Sequence, residues 1–334
     1  MRNGSAMTIK TKSMEWFLAG SIALAAFFTA ATAMAQSASA SIGVLTPGVN
    51  YTPVLEGLRE GLAKFNYREG KNLTFTVEDS QGETVNLNGR VAKLLGANPD
   101  IIFTVATAHS VAAKQATAMI PIVFTVVGDP VQSQLVASFA SSRNNVTGVS
   151  TQTAQLTAKR LELIKDLAPR AKSVLLLVSI NETSAKVGLP YLDEPAKKMG
   201  LRLVRKDVSG AEEFEKLLAE KWPNIDAIFP MPSVLVGKNI QGLIAKANKE
   251  SLPLIVYDES WVRAGALASY GTDYRLLGAQ SAKPVVKVLK GIKPADIPIE
   301  TPDQLVLTIN RSAAKAIGLK ISDKISERAD RIFD

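Results

Sequence analysis

The chain has 334 residues, 46% of them hydrophobic and 21% charged, enough to bury cores in about two domains and too apolar for a disordered chain. Lys and Arg number 39 against 31 Asp and Glu, a net charge of +8, but the basic residues are scattered with no long like-charge run. The excess therefore reads as a solvated surface, not a nucleic-acid stripe. With 0 Cys and a single histidine, His109, thiol catalysis, disulfides, cysteine zinc sites and paired-histidine metal sites are excluded.

Arg2, Lys10 and Lys12 precede an apolar stretch over 16–33 that ends in Ala33-Met34-Ala35 before Gln36. A basic start, an apolar middle and small residues at the cut site predict a cleaved signal peptide over 1–35, with a second cut possible after Ala40. An uncleaved anchor is the competing reading. Export without cysteine points to the periplasm, where nucleic acid is not an expected partner.

Short apolar runs then alternate with helical periodicity. Strands are expected over 42–46, 73–78, 101–105 and 122–127, and again over 173–178, 201–207, 226–229 and 254–257. Between the first two, Val54, Leu55, Leu58, Leu62 and Phe65 fall on one helical face. Continuous rather than alternating apolar runs suit strands covered on both faces, hence a parallel sheet. The halves echo one another, 98–103 resembling 223–229 and 120–124 resembling 252–257. Gly200 is expected to end a helix as its C-cap. A helix over 274–290, which Pro284 should bend or split, is followed by a strand over 305–309 and a helix over 312–317.

This pattern predicts an α/β protein of two doubly wound parallel-sheet lobes joined by a multi-strand hinge. The first lobe is expected over 41–150 plus about 272–298, and the second over 151–271 plus about 299–330. Crossings are expected near 148–153, 269–272 and 298–302.

Ligands of such sheets bind beyond the carboxyl ends of the strands, where helix N-termini offer free N–H groups to an anion. The residues there are Thr46, Asn50 and Tyr51, then Thr107, His109 and Ser110, then Asp129, in the first half. In the second they are Thr183, Ser184, Ser233, Asp258 and Trp261. Asp129 and Asp258 either neutralise a ligand's ammonium group or cap the adjacent helix. Tyr51 and Trp261 either stack on an aromatic ligand or pack beneath their loops. No phosphate-cradling glycine motif occurs, and no base, nucleophile and orienting group are spaced as a catalytic set. A binding protein with no cofactor and no metal is expected, not an enzyme.

Val127-Gly128-Asp129-Pro130-Val131, Asn145-Val146-Thr147-Gly148-Val149-Ser150 and Lys159-Arg160-Leu161-Glu162-Leu163-Ile164-Lys165 resemble motifs of a known family. So do 265–271, 290–296 and 309–319, and the resemblance spans roughly 42–333. The family is the tryptophan/tyrosine-type ABC substrate-binding proteins. The resemblance implies a type I periplasmic-binding-protein fold, a captured small solute such as an aromatic amino acid, and delivery to an ABC permease by a monomer. The family often shows Thr-Pro after its third strand, where this chain has Thr107-Ala108.

Together these readings predict closure of two lobes on a small carboxylate. Thr107, His109 and Ser110 would hold the acid group, while Thr183, Ser184, Ser233 and Asp258 close over the rest. The rival readings are a sensing module for a membrane receptor, an exported Rossmann-like enzyme, and a sugar-binding protein of the same fold class.

Overall fold

β-Branched and apolar runs form the strands, and most are followed by a helix. In this computed structural model the described residues are Met1 and 39–334, so the signal-peptide reading and most of 1–39 lie outside them. Ala40–Asp334 forms one unit. Among the described residues no helix is long and apolar enough to cross a membrane.

The first sheet is built from β1 (Ala40–Thr46), β2 (Leu73–Asp79), β3 (Ile101–Val105), β4 (Ile122–Val127) and β5 (Val146–Ser150). They run parallel in the order β2-β1-β3-β4-β5. Intervening helices are α1 (Thr52–Lys64), α2 (Leu87–Gly96) and α3 (Thr107–Ala116). β3 and β5 are buried along their whole length, which is why their sequences carry no alternation. Val44, Leu58, Leu62 and Phe103 fill one face of this sheet, and Leu45, Leu94, Ile102 and Phe124 the other.

The second lobe contains α4 (Thr157–Leu167), β6 (Ser173–Ser179), α5 (Thr183–Lys186), α6 (Asp193–Lys198), β7 (Arg202–Val208) and α7 (Ala211–Ala219). It continues with β8 (Ala227–Pro230), α8 (Val234–Lys238), α9 (Ile240–Lys249), β9 (Ile255–Val256), α10 (Glu259–Arg263) and β10 (Ala268–Gly271). After α11 (Tyr274–Leu289) come β11 (Val306–Asn310), α12 (Arg311–Ala316), α13 (Asp323–Arg328) and β12 (Arg331–Phe333). The strands lie in the orders β7-β6-β8 and β12-β11-β10-β9, and a bridge between Ile228 and Leu254 joins the two groups.

Three expectations need correction. The second sheet is mixed, because β11 runs antiparallel to β10: the chain re-enters this lobe from the first one and so travels the opposite way. α11 is not split at Pro284 but runs on as one helix, with the proline buried beside its neighbours Val285 and Val286. The loss of one main-chain donor is tolerated where tertiary packing holds both halves of the helix. Phe65, expected on the buried face of α1, is 43% exposed. Phe65 is the C-cap of α1 and has left helical geometry, so it drops off the buried face. Gly200, by contrast, adopts a positive φ of 65° just beyond α6, as a helix-ending glycine should.

α11 packs against α1 and the first sheet, main chain against main chain. A Cβ on Gly57 would lie 1.9 Å from the Arg275 carbonyl oxygen, and one on Gly278 would lie 2.0 Å from that of Val54. The returning chain runs beside β5, with Ser150 N–H donating to the Glu300 carbonyl (2.9 Å) and Glu300 N–H to that of Gly148 (3.0 Å).

Candidate functional site

The carboxyl ends of both sheets face one cleft, and the lobes touch across it. Asn50 Nδ2 donates to the Gly237 carbonyl at 3.3 Å, and Lys238 pairs with Glu83. Behind these contacts lies a cavity of about 30 Å³, walled by Tyr51, Thr107 and Gly128 from one side and Ser184, Ser233 and Tyr257 from the other, with Thr153 and Tyr274 at its edge. That is room for a water or two, far short of the roughly 300 Å³ a small-molecule pocket needs. The cleft is pinched at this point. A wider recess of about 480 Å³ at its mouth shares Tyr51 and Val234 and adds Asp258 and Trp261.

On the first lobe, α3 begins directly at the cavity. Its N-cap residue, Ala106, offers no side chain to the free N–H groups of the first turn. Thr107 is only 2% exposed, lines the cavity, and its Oγ1 has no partner. Ala106 (φ 74°) and Val126 (φ 56°) both hold left-handed backbone, and both line the cavity. Such conformations cost about 1–3 kcal/mol each and concentrate where the surroundings impose them for function.

Ser110 and His109 face elsewhere. The Ser110 hydroxyl donates to the Ala106 carbonyl (2.9 Å) and meets Thr104 Oγ1 (2.8 Å), so it is spent inside its own helix turn. His109 is fully buried, with Nε2 2.9 Å from Ser80 Oγ, and is absent from the cavity wall. It ties the loop after β2 to α3. Burial, and then the charge of Arg90, push its pKa down to about 3. An unfolded histidine titrates near 6.5, so as pH falls the unfolded chain binds this proton first. This contribution to stability is complete above about 6.5 and declines by ~1.4 kcal/mol per pH unit toward about 3. His109→Gln should therefore lose less stability than the parent between pH 7 and pH 5 in urea unfolding. Equal acid losses would refute the assignment.

Thr46 Oγ1 accepts from Gly48 N–H (3.4 Å) and shapes its own loop. Asp129 is buried; it accepts from the N–H groups of Val131 (3.1 Å) and Gln132 (2.9 Å) and from Gln155 Nε2 (2.9 Å), so it organises a turn. Tyr51 crosses to the hinge and stacks on Tyr274, centroids 5.5 Å apart.

On the second lobe Thr183 is exposed and only Ser184 reaches the cavity wall. Ser233 caps α8, accepting from Val236 N–H at 3.1 Å. Glu182 explains the rest of that corner: its carboxylate accepts from Ser233 Oγ (2.6 Å), Val234 N–H (2.8 Å) and Leu235 N–H (3.0 Å). The helix start is thus already filled by an internal acid. Tyr257 hydroxyl donates to the Ser233 carbonyl (2.9 Å), and its ring meets Trp261 edge-on at 4.6 Å. Trp261 therefore packs beneath the cavity wall.

Asp258 accepts from Ser260 N–H (2.8 Å) and Oγ (2.7 Å) through Oδ1 alone. Arg331 pairs with its neighbours Glu259 and Asp273, and among the described residues no cation pairs with Asp258. Burial raises its pKa to about 6, with Glu259 and Asp273 adding to the effect against the Ser260 hydrogen bonds. Glu182, Arg160, Tyr257 and Tyr274 were not among the residues singled out from sequence. Tyr257 and Tyr274 close a strand and open a helix, positions that the rule of reading beyond strand ends passes over.

Two α/β lobes that meet on a polar cavity with aromatic walls define a two-lobed solute-binding protein with the type I periplasmic-binding fold. The chain belongs to the family described as "ABC transporter substrate binding protein", whose pattern it matches over residues 44–333. It is 29% identical over 272 residues to a tyrosine-binding protein of Clostridioides difficile (strain R20291), covering 80% of this chain and 78% of that one. It superposes on a conserved domain protein of Vibrio cholerae with TM-score 0.82 and 30% identity, covering 88% of this chain and 99% of that one. An ABC domain from Streptococcus pneumonia in complex with L-Trp gives TM-score 0.80 at 24% identity, covering 89% and 100%.

Proposed function

We propose that the chain is the periplasmic capture component of an ABC importer, taking up an aromatic amino acid and handing it to a permease as a monomer. The observation that carries this reading is Asp258, a buried carboxylate with no cation beside it, set among Tyr51, Tyr257 and Tyr274. A ligand ammonium supplies the missing charge, the tyrosines suit an aromatic side chain, and the open start of α3 with Thr107 receives the carboxylate. The tyrosine-binding relative supports the same ligand class.

The bodies that move are 41–150 with 272–298, and 151–271 with 299–330, hinged where the chain passes between them. The guest shifts the open–shut equilibrium because contacts to both lobes exist only in the shut state. Asn50–Gly237 and Glu83–Lys238 then help to hold the mouth closed. The shut form is what the permease reads, so capture needs binding energy and no bond chemistry.

Thermal unfolding of the purified protein with L-tyrosine, L-tryptophan and L-phenylalanine, against ribose and glucose, tests this. Saturation at about 100 times Kd adds ~2.7 kcal/mol, a rise of several degrees. No rise with any of the three amino acids would overturn the ligand assignment, and a rise with a sugar alone would replace it.

A further inference from the structure

We propose that Arg160 is the counter-charge for the ligand's carboxylate, so that the cleft selects a zwitterion over the corresponding amine. This rests on the reading of the cleft as an amino acid site.

Arg160 is 1% exposed and the largest of the fully buried side chains. Nη2 donates to the Thr153 carbonyl at 2.6 Å and to Thr157 Oγ1 at 3.1 Å, while Nη1 is buried with no acceptor. Among the described residues no carboxylate pairs with it; the groups that favour its charge are the phenols of Tyr257 and Tyr274. A buried ion without a counter-ion costs several kcal/mol, and a chain keeps such a group only where something meets the charge. Anchoring the Thr153 carbonyl requires one neutral donor and no charge.

The guanidinium stands directly behind the cavity. Thr153, whose carbonyl it holds, and Tyr257, whose ring centre is 6.0 Å from its central carbon, both form the wall. Across the cavity Thr107 Oγ1 is unmet as well. Asp258 adjoins Tyr257 in sequence and also lacks a partner of opposite charge, yet Asp258 and Arg160 do not pair with each other. Two charges of opposite sign without ion-pair partners thus lie on either side of Tyr257, Arg160 behind the cavity wall and Asp258 in the adjoining recess. An α-amino acid brings one charge of each sign, an ammonium for Asp258 and a carboxylate for Arg160. Thr153 lies in the segment that joins the lobes, so parting them opens the way to Nη1, and the carboxylate bridges from the start of α3 to Arg160.

Calorimetric titration of the parent, Arg160→Gln and Arg160→Lys with L-tyrosine and with tyramine tests the assignment. Gln keeps a donor for the Thr153 carbonyl and removes the charge; Lys keeps the charge. A charge-assisted hydrogen bond of this kind is worth about 10- to 100-fold. The parent should prefer L-tyrosine to tyramine, Arg160→Gln should lose at least about tenfold of that preference with tyramine affinity unchanged, and Arg160→Lys should retain most of it. Equal loss for both ligands, or an unchanged preference in Arg160→Gln, would overturn the role, leaving Arg160 as a structural anchor. A parent that binds neither L-tyrosine nor another aromatic amino acid would instead overturn the ligand class on which the role rests. Circular dichroism shows that each variant is folded; if Arg160→Gln does not fold, a tyrosine-to-tyramine preference in Arg160→Lys reduced together with its tyramine affinity refutes the role, and a retained preference upholds it.

Discussion

Asp258→Asn should weaken binding of an aromatic amino acid by about 30-fold or more, since truncating one member of a buried, hydrogen-bonded charge pair costs roughly 2–5 kcal/mol. Asparagine keeps the shape, and its oxygen still accepts from Ser260, so the loss reports the missing charge and not a broken turn. The parent carries a pH signature as well. Asp258 is held at a pKa of about 6, first because it is buried and also because Glu259 and Asp273 stand close. Arg331 faces those two neighbours and is occupied by them, while Tyr51, Tyr257 and Tyr274 stay protonated on the remaining sides. An ammonium lowers the Asp258 pKa, so ligand binding below about pH 6 must expel a proton. Affinity should be full above that value and fall by up to about tenfold per pH unit beneath it. His109, with its pKa near 3, stays neutral through this window. Calorimetry at pH 5, 6 and 7.5 on parent and variant decides the matter: a flat profile in the parent, or unchanged affinity in Asp258→Asn, places the ammonium elsewhere.

Gly57→Ala should cost about 3 kcal/mol of stability or more, at the top of the range for overpacking. The added methyl would sit 1.9 Å from the Arg275 carbonyl oxygen, 2.8 Å from its carbon and 2.9 Å from Ala279 N. All three are main-chain atoms, so no rotamer change relieves the clash and α1 must lift from α11. Because α11 opens with Tyr274 in the cavity wall, ligand affinity should fall together with the urea midpoint. Gly96→Ala, where nothing lies within 4 Å, is the control and should stay within about 0.5 kcal/mol of the parent. A Gly57→Ala protein as stable as this control would show that the helices are not in such close contact.

Much of the architecture was legible because buried parallel strands write themselves as unbroken apolar runs. β3 illustrates this, every residue buried and every residue readable, whereas β5, with Thr147, Gly148 and Ser150 among its five residues, broke the apolar run and was read only as a crossing. The antiparallel β11 was less so, since direction is set by where the chain re-enters and leaves no mark in the strand's own residues. Pro284 misled for a related reason: propensity weighs the missing donor, whereas packing of a buried helix on α1 and the sheet outweighs it. At the cleft, counting residues after each strand located Thr107, Ser233 and Asp258, because loops and helix starts gather there by topology. It also admitted Ser110 and His109, since hydroxyls and rings one turn into a helix point wherever the periodicity sends them. Arg160, inside α4, was out of reach, and Glu182, in the loop after β6, was passed over in favour of its neighbours Thr183 and Ser184. A buried charge looks like any surface charge until its surroundings are known, and the tertiary fold is what buries Arg160 and brings Glu182 to the start of α8.

Glu182 has a consequence for how any guest must lie. Several helices start at the cavity wall; of those at α3 and α8, on opposite lobes, the one at α8 is occupied by the protein's own side chain. A gap with both starts vacant would admit an acidic head from either jaw and leave the orientation to chance. Here the α8 start is filled before anything enters, so the gap has a front and a back, and an acidic head turned toward α8 meets like charge from Glu182.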